Sequence, residues 1–90
     1  MRKLDFSREA LDFLNSLQEK QHRQIVYKLH LLLTNARPQD SRKLKDADEY
    51  YRVDSGEYRI VYSIQETILQ IFVIGKRNDD DVYRKFKRMK

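Results

Sequence analysis

Gly56-Glu57-Tyr58-Arg59-Ile60-Val61-Tyr62 reads as a turn running into a strand. Asp54-Ser55-Gly56-Glu57 is made of turn formers. Beyond it, Tyr58, Ile60, Tyr62 and Ile64 alternate with Arg59, Val61 and Ser63. A period of two marks a strand whose faces meet different surroundings. The apolar and aromatic set points to a core, so Arg59, Val61 and Ser63 point to the opposite face. The flanks extend the pattern. Tyr50–Val53 reads as the preceding strand, with Tyr51 and Val53 inward and Arg52 on the face of Arg59. Gln65-Glu66-Thr67 reads as a hairpin turn. Ile68–Ile74 is almost wholly apolar, as expected of a strand covered on both faces.

Before Pro38 the period is helical. Ala10, Leu14 and Leu17 share one face, behind Ser7 as N-cap and Glu9 in the first turn, which predicts a helix over about Ser7–Leu17. Ile25, Leu29, Leu32, Leu33 and Ala36 form a second stripe. The residue before a proline disfavours helix, so this element should stop near Ala36 or Arg37. The short polar link at Gln18–Gln21 makes the pair an antiparallel hairpin. Leu4 and Phe6 alternate with Lys3 and Asp5, so Met1–Phe6 reads as a first strand. Asn78 or Asp79 would cap a short last helix presenting Val82, Tyr83 and Phe86 on one side. The expected fold is α+β: an N-terminal strand, a helical hairpin on one face of a mainly antiparallel four-stranded sheet, and a short C-terminal helix.

Ninety residues are read as one domain, residues 1–90. A chain of this length buries roughly 60–65% of its unfolded surface, so a site is expected on an open groove or sheet face. The net charge is +5, and residues 76–90 carry seven Lys or Arg against three Asp. A basic end of this kind points to an anionic partner, with a solvated helix as the plainer alternative. There is no cysteine, which removes disulfides and thiolate metal sites and fits a reducing cytoplasm. Met1-Arg2-Lys3-Leu4-Asp5 has no apolar signal region, and the apolar runs are too short to span a bilayer, so no membrane association is expected.

The candidate chemistry lies in the C-terminal half. Arg52 and Arg59 share a face and Arg77 follows the strand that ends near Gly75. Guanidiniums suit bidentate phosphate contact. Pairing of each with Asp54, Glu57 or Glu49 is the plainer alternative. Tyr83, six residues after Arg77, is placed to project over the sheet as an acid–base group or to pack the last helix down. Lys43, Lys45, Lys76 and Arg84 would extend a track along a nucleic-acid backbone. His22 and His30 fall on the hairpin, away from the arginines. Asp79-Asp80-Asp81 suits capping better than a metal, because three consecutive residues at a helix start do not converge on one ion.

These residues resemble the RelE/ParE superfamily of small bacterial toxins, in particular its RelE-type messenger-RNA endonucleases, over nearly the whole chain. The resemblance rests on the order of elements, on Lys43-Leu44-Lys45, on Gly56 through Tyr62, and on Gly75-Lys76-Arg77 with Val82-Tyr83. It implies an enzyme that enters the ribosomal A site and cuts messenger RNA by attack of a ribose 2′-hydroxyl, without metal or cofactor. It assigns phosphate stabilisation to Arg59, leaving-group protonation or charge stabilisation to Arg77, and activation or orientation of the 2′-hydroxyl to Tyr83. Arg52 and Asp54 stand where the RelE pattern has two lysines. The resemblance also implies a RelB-like antitoxin as partner, besides the ribosome with its messenger. ParE-type relatives share the scaffold and poison DNA gyrase, so gyrase poisoning is the alternative. An inactive RNA-binding domain is a third.

Overall fold

The computed structural model describes residues 2–78 and 80–89. Met1, at the start of the expected first strand, and Asp79, one of the two expected caps, lie outside the described residues. The order is β1 (Lys3–Phe6), α1 (Arg8–Ser16), α2 (Glu19–Thr34), β2 (Arg42–Leu44), β3 (Ala47–Ser55), β4 (Tyr58–Gln65), β5 (Ile68–Lys76) and α3 (Asp81–Met89). The strands form one sheet in the order β1-β5-β4-β3-β2. β1 runs parallel to β5 and the other pairs are antiparallel. The expected α+β class holds, with five strands in place of four.

The extra strand is β2. Its three residues carry one apolar side chain and show no period of their own. It pairs Arg42 with Arg52 and Lys43 with Tyr51. β3 is also longer than Tyr50–Val53, since Asp48 and Glu49 face solvent and hide its first half from a hydrophobic pattern.

The helix ends follow local chemistry. Ser7 Oγ accepts from the Ala10 N–H at 3.0 Å and donates to the Phe72 carbonyl at 2.6 Å, so one hydroxyl caps α1 and ties it to β5. His22 Nδ1 lies 3.1 Å from the Leu14 carbonyl, at the other end of α1. α2 stops at Thr34, earlier than Ala36, because Asn35 already turns extended. Ala36 is still buried, and its carbonyl accepts from the Tyr62 hydroxyl at 2.6 Å. α3 begins at Asp81, with the Asp80 carbonyl accepting from the Arg84 N–H at 3.0 Å.

Two cores sandwich the sheet. On one side Ala10, Leu14, Ile25, Leu29 and Leu32 of the hairpin meet Val53, Ile60, Tyr62, Leu69, Ile71 and Ile74. On the other, Val82 and Phe86 of α3 meet Val61, Val73, Leu44 and Ala47. A bulge in β5 sets this up: Val61 pairs with Val73 but Tyr62 pairs with Ile71, leaving Phe72 over. Phe72 and Val73 therefore serve the same face, and Phe86 packs edge-on to both Phe72 and Tyr50. The β3–β4 hairpin turns through Gly56, whose φ of 60° favours glycine.

Candidate active site

β3 and β4 pair Arg52 with Val61 and Asp54 with Arg59. Tyr51, Val53, Tyr58, Ile60 and Tyr62 join the hairpin core, so Arg52, Asp54 and Arg59 point to the face that α3 crosses. α3 covers that face with Val82 and Phe86 only in part. Between its polar side and β3 lies a cleft of about 580 Å³. Arg52, Arg59 and Tyr83 line it, with Lys45 at one margin and Lys87 on the helix. Asp46, Asp80 and Phe86 complete the lining. Four cations against two carboxylates make the cleft attractive to an anion.

The arginines are held differently. Arg59 Nε donates to Asp54 Oδ1 at 2.8 Å, and the Arg59 side chain is 17% exposed. Arg77 reaches the same carboxylate from beyond β5, with Nη1 3.9 Å from Asp54 Oδ2, but stays 51% exposed and outside the cleft lining. Arg52 Nε is buried without a hydrogen-bond partner among the described residues. Its direct neighbour Arg42 turns away, donating from Nη1 to the Gln39 and Ser41 carbonyls at 3.0 and 2.8 Å. That relieves two like charges in register. A half-buried guanidinium with an idle donor is suited to a charged acceptor.

α3, which carries Tyr83, is seated by its first turn and its far side. Asp81 Oδ2 accepts from the Lys76 N–H at 2.9 Å and lies 3.5 Å from Lys85 Nζ. Burial pushes the Asp81 carboxyl up, but the Lys76 N–H bond and the charges of Lys85 and Arg84 outweigh it and hold the group below its ordinary value of 3.8. Gly75 makes room for this seat: a methyl group there would lie 2.5 Å from Asp81 Oδ2 and 3.2 Å from Val82 Cγ1. Lys85 Nζ donates to the Ile74 carbonyl at 3.1 Å and sits 3.9 Å from the Phe13 ring centre. Arg88 pairs with Glu9 at 2.7 Å.

Of the eight residues expected in the site, four line one cleft: Arg52, Arg59, Tyr83 and Lys45. Arg77 stands at its edge through Asp54. Lys43 is exposed and paired with Tyr51, and Lys76 is exposed and paired with Tyr58, so both register with the hairpin face. Arg84 is exposed and lies 3.6 Å from Asp81. Lys87 was not foreseen, although it stands four residues after Tyr83 on the same helical face. Asp46 and Asp80, also unforeseen, take left-handed backbone with φ of 63° and 54°. His22 and His30 are not in the lining. Among the described residues no group of three or more His, Cys, Asp or Glu is placed to hold a metal ion, and no helix is long and apolar enough to cross a membrane.

The sequence model described as the ParE toxin of the type II toxin–antitoxin system parDE matches residues 4–81. The chain belongs to the ParE toxin family. It is therefore a toxin of a type II toxin–antitoxin system, in the RelE/ParE superfamily. Solved structures of RelE toxins share the fold. The isolated RelE toxin of E. coli is 25% identical, with 100% of both chains covered and a TM-score of 0.76. A double arginine-to-alanine mutant of E. coli RelE in the free state is 26% identical, covers 99% of this chain and 98% of its own, and gives 0.79. The RelE–RelB complex of Pyrococcus horikoshii, at 22% identity, covers 87% and 96% with 0.73, and speaks for the fold. No curated protein matches.

Proposed function

We propose that this ParE-family toxin is a ribosome-dependent endoribonuclease that cuts messenger RNA in the A site. The observation that carries the reading is the cleft, which faces Arg52, Arg59, Lys45 and Lys87 towards Tyr83 of α3. In the reaction the ribose 2′-oxygen bonds to phosphorus and the bond from phosphorus to the 5′-oxygen breaks. The products are a 2′,3′-cyclic phosphate and a 5′-hydroxyl. The 2′-hydroxyl loses a proton and the leaving oxygen gains one.

Arg59, held by Asp54, stabilises the charge that builds on the phosphoryl oxygens, and Arg77 assists from the rim. Tyr83 orients the 2′-hydroxyl. Arg52 and the two lysines hold the backbone, and the amines of Lys45 and Lys87 can pass protons where guanidiniums cannot. The family description supports an antitoxin partner, whose acidic segment would neutralise this face. The natural test is primer extension on a defined messenger in a purified translation system. Cleavage within the A-site codon that needs the ribosome supports the reading, and an intact messenger sinks it.

One observation favours a second reading. The matching family is described as ParE, and Asp54 puts a carboxylate where RelE-type chains carry a lysine. On that reading the toxin poisons DNA gyrase, and exposed cells would show DNA damage with messengers intact.

A further inference from the structure

Asp54 touches the arginines of the cleft, and the cleavage scheme gives it no chemical step of its own. It faces Arg59 directly across the β3–β4 register. Oδ1 accepts from Arg59 Nε at 2.8 Å, and Oδ2 lies 3.9 Å from Arg77 Nη1. The Asp54 side chain is 35% exposed and that of Arg59 17%, so water competes weakly for the inner bond. One carboxylate thus spans two guanidiniums that come from different parts of the chain. A guanidinium gripped at Nε has its plane fixed, and its terminal Nη groups remain available to a second acceptor. Among the described residues Arg59 has no other ion pair.

We propose that Asp54 is a positioning residue. It aims Arg59 into the cleft and draws Arg77 to the rim so that both address the same phosphate. It takes no proton from the substrate. This rests on the endoribonuclease reading above. Two other roles are separated from it by experiment: an anion that competes with the phosphate, and a general base.

The test is single-turnover cleavage of ribosome-bound messenger by wild type, Asp54→Ala, Asp54→Asn, Arg59→Ala and the Asp54→Ala/Arg59→Ala pair. Fixing a reacting group's geometry is worth orders of magnitude, so Asp54→Ala should slow the saturated rate by about tenfold or more. The half-saturating ribosome concentration should stay within about twofold, because binding is not what Asp54 supplies. Asp54→Asn should recover much of the loss, since an amide oxygen still accepts from Nε and the side chain keeps its shape. In the Arg59→Ala background most of the Asp54→Ala effect should vanish, the non-additivity expected of one unit. Faster cleavage by Asp54→Ala would overturn the proposal in favour of a competing anion. Equal losses for Asn and Ala, with the effect undiminished without Arg59, would overturn it in favour of a base. Unchanged cleavage by both variants, with an active wild type, would overturn it alone. An inactive wild type would overturn the endoribonuclease reading with it.

Discussion

At the scale of single residues, the cleft depends on a few side chains whose neighbours decide what they can do. Removing the Arg59 guanidinium should cost cleavage about 100-fold or more, the usual loss for one donor aimed at developing charge. Arg59→Lys should not restore it, because an ammonium offers no fixed fork. Tyr83→Phe keeps the ring packed on the core between α3 and the sheet and deletes only the hydroxyl, so the melting temperature should hold while cleavage falls by about 100-fold. Stability retained with activity retained would assign Tyr83 to packing. The sequence made Arg52, Arg59 and Tyr83 legible because strand alternation and a short helix give them a side. It also raised the plainer alternative of pairing with Asp54, which is what Arg59 does. Lys87 had a signal of its own, since a helix brings the fourth residue after Tyr83 back to the same face. The burial of Arg52 Nε with no hydrogen-bond partner among the described residues belongs to packing and had no signature in the chain.

At the scale of elements, α3 decides whether there is a cleft at all. It is anchored at its first turn by Asp81 on the Lys76 N–H, above a glycine that leaves space for the carboxylate. Gly75→Ala should push Asp81 off this bond and loosen the helix, lowering activity more than it lowers the melting temperature of the sheet. Hydrogen exchange confined to residues of α3 would show it, and unchanged protection there would refute it. The same seat has an acid sensitivity. A carboxylate held below its ordinary value adds stability that is complete above pH 3.8 and fades as the pH falls through the lowered value. Asp81→Asn should therefore flatten the acid limb of a stability profile measured by denaturant titration. Long periodic elements were read correctly here: both hairpin helices, β4 and β5. β2 escaped because pairing with β3, not its own pattern, makes it a strand. The early end of α2 escaped because Ala36 is buried and continues the apolar stripe although Asn35 has already turned extended.

At the scale of the whole molecule, charge and topology set behaviour that no single contact explains. With a net charge of +5, RNA binding should weaken steeply with salt. For single strands each phosphate contact contributes a slope of about −0.7, so the Lys45→Ala/Lys87→Ala pair should reduce the slope by about 1.4. An unaltered slope would place the RNA elsewhere. The fold also has an alkaline limit. Burial raises the Tyr62 hydroxyl from 10.0 to about 12, so its contribution is complete below pH 10 and is lost as the pH climbs towards 12. Tyr62→Phe should remove that part of the decline, while costing about 1 kcal/mol at neutral pH for the lost bond. Finally, β1 finds its partner only in β5, with Ser7 bonded to Phe72 across 65 residues of chain. The first segment made must wait for nearly the last before the sheet can close, and Tyr83 comes later still. While it is being synthesised, this toxin has no closed sheet and no cleft. The cleft can assemble only once α3, which carries Tyr83 and Lys87, has emerged.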